Sequence, residues 1–225
     1  MKVPVIILAS LFTSNVFSQT EKVLIKFCPL ALADINMPTI QAGLEFNISN
    51  KISWYNEFGI KYTKGLIESY ADTSFVGSRG YKIKSEIRHY FRNKEQFIFN
   101  GPYFAVNAFF IKDLHNREIT YLQNSTPPGK TDDFSVKKNV LGFNLVLGYQ
   151  KRLTKNTFLD TYGGLGIRFR NICTVHEEYN KNTDTILDPT DPNVREIGER
   201  ADANGGLSVL PNLTLGIRIC FRLQY

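Results

Sequence analysis

Alternation is the feature that most constrains this chain. From Thr39 to Ser49, Ile40, Ala42, Leu44, Phe46 and Ile48 fall on one face of an extended segment, and Gln41, Gly43, Glu45 and Asn47 fall on the other. A period of two is the repeat of a β-strand with one apolar face. After the polar pair Asn50-Lys51 the pattern resumes with Ile52, Trp54, Phe58, Ile60 and Tyr62, broken only by Asn56. Gly80 to Phe91 sets Tyr81, Ile83, Ile87 and Phe91 against Lys82, Lys84, Glu86 and Arg88. The same form returns in Phe104–Phe110, Leu141–Tyr149, Leu159–Phe169 and Leu213–Tyr225, and in Val23, Ile25 and Phe27 near the start. These runs predict an all-β chain of about eight strands.

The spacing of the runs points to an up-and-down antiparallel order. The links at Asn50-Lys51, Arg92–Glu95 and Arg152–Lys155 are short, whereas Thr63–Arg79, Lys112–Lys138 and Asn171–Gly206 are long. Asp34–Pro38 is short but falls on the long side by parity. Short turns alternating with long loops are the signature of an outer-membrane barrel, with the short turns and both termini in the periplasm and the long loops outside the cell. No run beyond the N-terminus approaches the roughly 18 apolar residues of a membrane helix. A membrane protein without such a run must be a closed barrel, since only helices and closed barrels satisfy their backbone polar groups in lipid. A water-soluble barrel of the lipocalin kind would instead point the apolar face inward. Two features favour the membrane: the aromatics Trp54, Tyr62, Phe91, Tyr149, Phe169 and Tyr225 gather near strand ends, as in interfacial girdles, and the last strand stops on its apolar face.

Met1-Lys2, the apolar run Val3–Phe12 and the more polar Thr13–Ser18, with Val16 and Ser18 before a cut at Gln19, read as a secretory signal peptide. The predicted organisation is therefore residues 1–18 as signal and 19–225 as a single outer-membrane β-barrel domain. The formal charge of +6 is dispersed through the strands, without a basic run or a stacking motif, so nucleic acid is not an expected partner. The three cysteines form no C-x-x-C and no cluster with histidine, so neither a zinc site nor another cofactor is expected.

The final run Leu215, Ile217, Ile219, Phe221, Leu223 and Tyr225 resembles the C-terminal β-signal read by the outer-membrane assembly machinery. Together with Pro38–Tyr62, Gly80–Phe91 and Leu141–Phe169, including Tyr162-Gly163-Gly164-Leu165-Gly166, it makes the chain similar to small outer-membrane proteins of the Bacteroidetes type, OmpX/OmpW-like eight-stranded barrels. The resemblance implies a fold and a location: an eight-stranded antiparallel up-and-down transmembrane β-barrel with long extracellular loops. It implies outer-membrane lipid and lipopolysaccharide as surroundings, and Ile217, Ile219, Phe221, Leu223 and Tyr225 as the assembly signal. It carries over no catalytic residue.

The polar face supplies the remaining candidates. Glu45, Glu57, Lys61, Glu86, Arg88, Arg168, Arg218 and Arg222 share that face with Lys26 and Lys84. In a narrow barrel side chains fill the interior, and buried charges must be paired, so these residues form either a plug or the wall of a narrow conduit. Gly164 and Gly166 also face inward by parity, with space beside them for arginines. Cys28 and Cys220 sit on the first and last strands, facing inward, either as small fillers or as a disulfide across the closure. A lipid-modifying enzyme is the rival class, but His89 sits on an apolar face, His115 and His176 fall in long loops, and no His-x-Ser pair occurs. The acidic stretch 171–206 reads as a solvated loop or as a cation or basic-partner site. The expected role is non-enzymatic: envelope structure, surface interaction, or an accessory subunit of a larger outer-membrane complex.

Overall fold

The computed structural model describes residues 23–33, 37–62, 78–91, 99–176, 178–180, 182–187 and 206–223. Among them are nine strands: β1 Val23–Phe27, β2 Thr39–Asn47, β3 Ile52–Lys61, β4 Arg79–Tyr90, β5 Gly101–Leu122, β6 Lys130–Arg152, β7 Thr157–Val175, β8 Thr185–Ile186 and β9 Gly206–Arg222. Each long strand pairs antiparallel with the next, β4 pairs with β5, and β9 returns to β1. Eight strands thus form a ring, and the two-residue β8 lies against Tyr121 and Leu122 of β5 outside it.

The turns follow from local chemistry. At the β2–β3 link the Ile48 and Ser49 amides both donate to the Ile52 carbonyl, at 2.9 and 3.0 Å, and the Ser49 hydroxyl accepts from the Ile52 amide at 3.2 Å. At the β6–β7 link the Thr154 hydroxyl accepts from the amides of Asn156 and Thr157. Such side chain-to-backbone bonds are why serine and threonine favour turns. The turn expected at Arg92–Glu95 lies outside the described residues, as does the signal segment 1–18.

One expected loop is largely strand, and another begins as strand. Lys112–Lys138 reads from sequence as a connection, yet β5 runs on to Leu122 and β6 begins at Lys130, paired without interruption from Tyr121–Lys130 down to Gly101–Gln150. Asn171–Gly206 likewise begins as strand, with β7 continuing to Val175 against β6. The period-two signal fades there because polar residues occupy both faces: Lys112, Asn116 and Lys137 point outward and are exposed, while Asp113 and His115 are buried on the inner face. Cross-strand pairing carries these extensions, with a small buried cluster of Phe134, Val136 and Ile172 on their inner face, against which Tyr179 packs.

The ring has its apolar side outward. Every one of its strands contributes exposed large hydrophobics, among them Ile25, Ile40, Phe58, Ile87, Val106, Leu147 (65 %), Leu165 (69 %) and Leu215 (72 %). On β6 the belt runs from Leu141 to Tyr149 and ends at the polar row Lys112, Asn139 and Asn171, aligned across β5, β6 and β7. The buried residues include Lys26, Glu45, Glu57, Lys84, Glu86, Arg88, Asp160 and Arg218. Charged side chains are almost never fully buried unless paired, so the interior must be organised around ion pairs.

Candidate functional site

The interior is stacked in layers, beginning near the short turns. There Leu24, Phe99, Phe158 and Cys220 form a buried apolar cluster. Above it lies a network of four cations and four carboxylates. Asp160 on β7 is shared by Lys26 of β1 at 2.9 Å, Arg88 of β4 at 2.9 Å and Arg218 of β9 at 3.3 Å. Its other oxygen accepts the Tyr103 hydroxyl at 2.7 Å. Glu45 meets Lys26 at 2.5 Å and Arg88 at 3.4 Å, and accepts from the hydroxyls of Tyr90, at 2.8 Å, and Ser53. Glu57 meets Lys84 at 3.0 Å and Arg218 at 3.2 Å and accepts from Tyr55. Glu86 meets Arg88 at 2.6 Å and Arg218 at 3.6 Å.

Tyrosine faces complete the coordination of the cations. The Arg88 guanidinium lies 4.8 Å from the Tyr55 ring and 4.4 Å from the Tyr103 ring, and Arg218 lies 4.6 Å from Tyr55 and 3.8 Å from Tyr162. Both guanidinium groups lie over tyrosine rings and beside carboxylates, contacts that suit a buried arginine. A third layer is neutral: Asn212 donates to Asn144 at 2.7 Å, Asn144 to Asn107 at 3.1 Å, and Asn107 to Glu86 at 3.3 Å. All eight ring strands are thereby tied across the bore.

Glu45, Glu57, Glu86, Arg88 and Arg218, chosen from sequence, meet in this network. Three other candidates do not. Lys61 pairs with Asp113 at 2.6 Å, further from the short turns. Arg168 lines a cavity above the network, and Arg222 is half-buried at the rim, where its backbone amide donates to Asn156 at 2.8 Å. Parity gives the face of a residue but not its height along the bore, and height separates these three from the rest. Asp160, the residue on which three cations converge, was missed. The signal was present: Asp160 has the parity of the inward Gly164 and Gly166. The atoms nearest to those glycines belong to β6 and β9. A Cβ on Gly166 would stand 2.5 Å from the Asn144 amide oxygen, and one on Gly164 would meet Val146 and Thr214.

The two inward cysteines are not joined. Both are buried free thiols, and the register sets Cys220 opposite Lys26, two residues before Cys28. Such diagonal neighbours lie about 7–8 Å apart at Cα, beyond the usual span of a disulfide. Of the assembly-signal candidates, Ile217, Ile219 and Phe221 are exposed on the outer face of β9 and Leu223 is half-buried just past its end; Tyr225 lies outside the described residues.

His115, expected in a loop, is instead on β5, buried 3.7 Å from Asp113. Ser135 lies on the opposite face of the neighbouring strand and donates to Asn116, so His115 and Ser135 do not form a relay. Ser125 contacts Thr185 at the hairpin tip. In the acidic stretch, Asp184 accepts the amides of Asn124 and Asn180, each at 2.9 Å, and docks residues 178–187 onto the β5–β6 hairpin. These two backbone donors hold its carboxyl below the ordinary aspartate range. Most acids of the stretch lie outside the described residues; among those described, none cluster with metal-ligand geometry. Comparison with known proteins gives no matching family model, no matching curated protein and no matching solved structure.

Proposed function

We propose that this chain is an eight-stranded transmembrane β-barrel of a bacterial outer membrane, with the short turns and both termini periplasmic and the β5–β6 hairpin outside the cell. The observation that carries this reading is the inversion of polarity: an apolar belt on all eight ring strands around an interior of paired charges. In water, such a belt far exceeds the few hundred Å² of contiguous apolar surface that a monomer ordinarily exposes. In lipid it is the required exterior, and its extent on β6 matches the roughly nine to eleven residues of a tilted strand crossing the hydrocarbon. The sequence likeness to small outer-membrane proteins of the Bacteroidetes type agrees with it.

The role we infer is non-enzymatic. Four cations and four carboxylates fill the section, and apolar residues cap them toward the short turns, which favours a plug over a conduit. Function then resides on the surfaces: the belt, bathed in lipid and lipopolysaccharide, and the hairpin with its docked 178–187 segment, suited to envelope structure, surface interaction or an accessory place in a larger complex. The outward residues of β9 would be presented to the assembly machinery during insertion. The test is expression of the full chain in a Gram-negative host, followed by membrane fractionation and cross-linked co-purification. We expect recovery in the outer-membrane fraction, resistance to alkaline extraction and a heat-dependent shift in gel mobility. Recovery as a freely soluble periplasmic monomer would refute the reading.

A further inference from the structure

The outward face changes character where the belt ends on β4, β5 and β6. One row of paired residues begins in the belt with Ile40 of β2 and Ile60 of β3, passes through Tyr81 and Lys112, and continues with Asn139 and Asn171. The next row away from the belt sets Arg79 of β4 and Lys137 of β6 on either side of Leu114. Arg79, Lys112 and Lys137 are all exposed. Lys112 is the diagonal neighbour of both others, about 7–8 Å away. Arg79 and Lys137 stand two strands apart, about 10 Å. The three cations thus form a small triangle on the outer wall, directly above apolar surface.

Two features set this triangle apart from the other charges of the chain. Its floor is aromatic: the Tyr81 ring lies 6.4 Å from Phe58 and 6.1 Å from Phe110. Tyrosine, with an apolar body and a polar tip, belongs where hydrocarbon meets headgroups. The acids nearest in sequence are also turned elsewhere. Asp113, next to Lys112, points inward and pairs with Lys61 at 2.6 Å. Asp132 is buried and accepts the amides of Glu178 and Tyr179. Asp133 is exposed, but four residues beyond Lys137, about 13 Å along the strand. Among the described residues, no ion pair joins any of the three cations to a carboxylate. The interior cations, by contrast, each meet carboxylates.

Resting on the outer-membrane reading above, in which this end of the ring is extracellular, we propose that Arg79, Lys112 and Lys137 bind the phosphorylated sugar headgroup of an outer-leaflet glycolipid. A phosphate sits over the triangle, where the Arg79 guanidinium can grip two of its oxygens and the two ammonium groups neutralise the rest. The acyl chains run down the belt past Phe110 and Leu141, and the amides of Asn139 and Asn171 meet sugar hydroxyls. The head must be anionic, because a cation at the edge of hydrocarbon gains nothing from the chains themselves. A sugar is favoured over a plain phospholipid because the row continues beyond Lys112 in amides rather than in further charge.

The test uses the full mature protein folded into detergent micelles, with folding checked by the gel-mobility shift and bound lipid counted by native mass spectrometry. The probe is bisphosphorylated lipid A, set against the same lipid after enzymatic dephosphorylation and against phosphatidylglycerol. We expect lipid A to bind more tightly than either. Lys112→Gln with Lys137→Gln should weaken its binding by about thirty-fold, and Arg79→Gln alone by about five-fold. Lys51→Gln with Lys151→Gln, which removes two exposed cations at the short-turn end, should leave it unchanged. Unchanged affinity in the folded triangle variants, or an equal loss in the short-turn variant, would overturn the site. Equal binding of phosphatidylglycerol would overturn the glycolipid in favour of any anionic lipid. Each of these results leaves the membrane reading intact. A wild-type chain that stays soluble without detergent and takes up no lipid would overturn that reading and the proposal with it.

Discussion

Asparagine at Asp160 is the sharpest perturbation of the interior. The substitution keeps the shape and removes the charge that Lys26, Arg88 and Arg218 share within 2.9–3.3 Å. At an effective dielectric of about 20, each such pair is worth roughly 5 kcal/mol of gross attraction. Much of that sum is offset by the desolvation of the ions, which is several kcal/mol apiece. What the variant feels is the remainder: three buried cations keep their burial and lose a common partner, and a balanced cluster of four against four becomes one of four against three. Removing one partner of a buried ion pair typically destabilises by about 3–5 kcal/mol. With a urea slope of roughly 2 kcal/mol per molar, the unfolding midpoint of the lipid-folded protein should fall by about 2 M. Fluorescence of Trp54, the single tryptophan, provides the signal. Adding Arg88→Gln restores neutrality, and the double variant should be less damaged than the sum of the single ones by more than about 1 kcal/mol. A loss within about 0.5 kcal/mol for Asp160→Asn, the range of ordinary surface changes, would refute the idea that this cluster ties the ring together.

Four further outcomes are expected. Purified protein in planar bilayers should show no sustained large conductance, because the charged layer fills the bore; stable channels would count for a conduit. Leu145→Arg, in the middle of the β6 belt, should destabilise by about 2–4 kcal/mol if the belt faces lipid, and hardly at all if it faces water, as read by urea titration in vesicles. Gly148→Val should lose about 1–3 kcal/mol in the same titration, since a Cβ there would stand 2.3 Å from the Tyr103 ring that holds Asp160, and the loss should shrink in a Tyr103→Leu background. Docking of residues 178–187 should be insensitive to pH above about 4 and weaken below it: the Asp184 carboxyl is depressed by its amide donors, so its contribution is complete above the unfolded value and is lost as pH falls through the lower folded one. Hydrogen exchange at the amides of Asn124 and Asn180 would follow this, and equal protection at pH 3 and pH 6 would contradict it.

The candidate site was legible in part. Glu45, Glu57, Glu86, Arg88 and Arg218 could be placed on the inner face by counting residues, because alternation is local and survives whatever the strand pairs with. Asp160 carried the same parity but stands alone as an acid among Phe158, Tyr162 and glycines, so nothing nearby marked it as the meeting point of residues from β1, β4 and β9. Lys61, Arg168 and Arg222 share the inward face but stand at other heights, Lys61 beside Asp113. The extensions of β5, β6 and β7 past the belt were hidden for a related reason: polar Asp113 and His115 share the inner face with Phe134, Val136 and Ile172 while the outer face turns polar, so the two-residue trace fades.

Alternation alone therefore determined that this chain is all-β, how many strands enter the ring and which side chains share a face. Each of those properties follows from the two-residue repeat of an extended backbone. Tertiary structure decided which charges meet, why Cys28 and Cys220 pass each other unjoined, and how short the pairing of β1 with β9 is. These depend on how far each strand is shifted along its neighbour when the sheet closes, and register accumulates around the ring from every pairing at once.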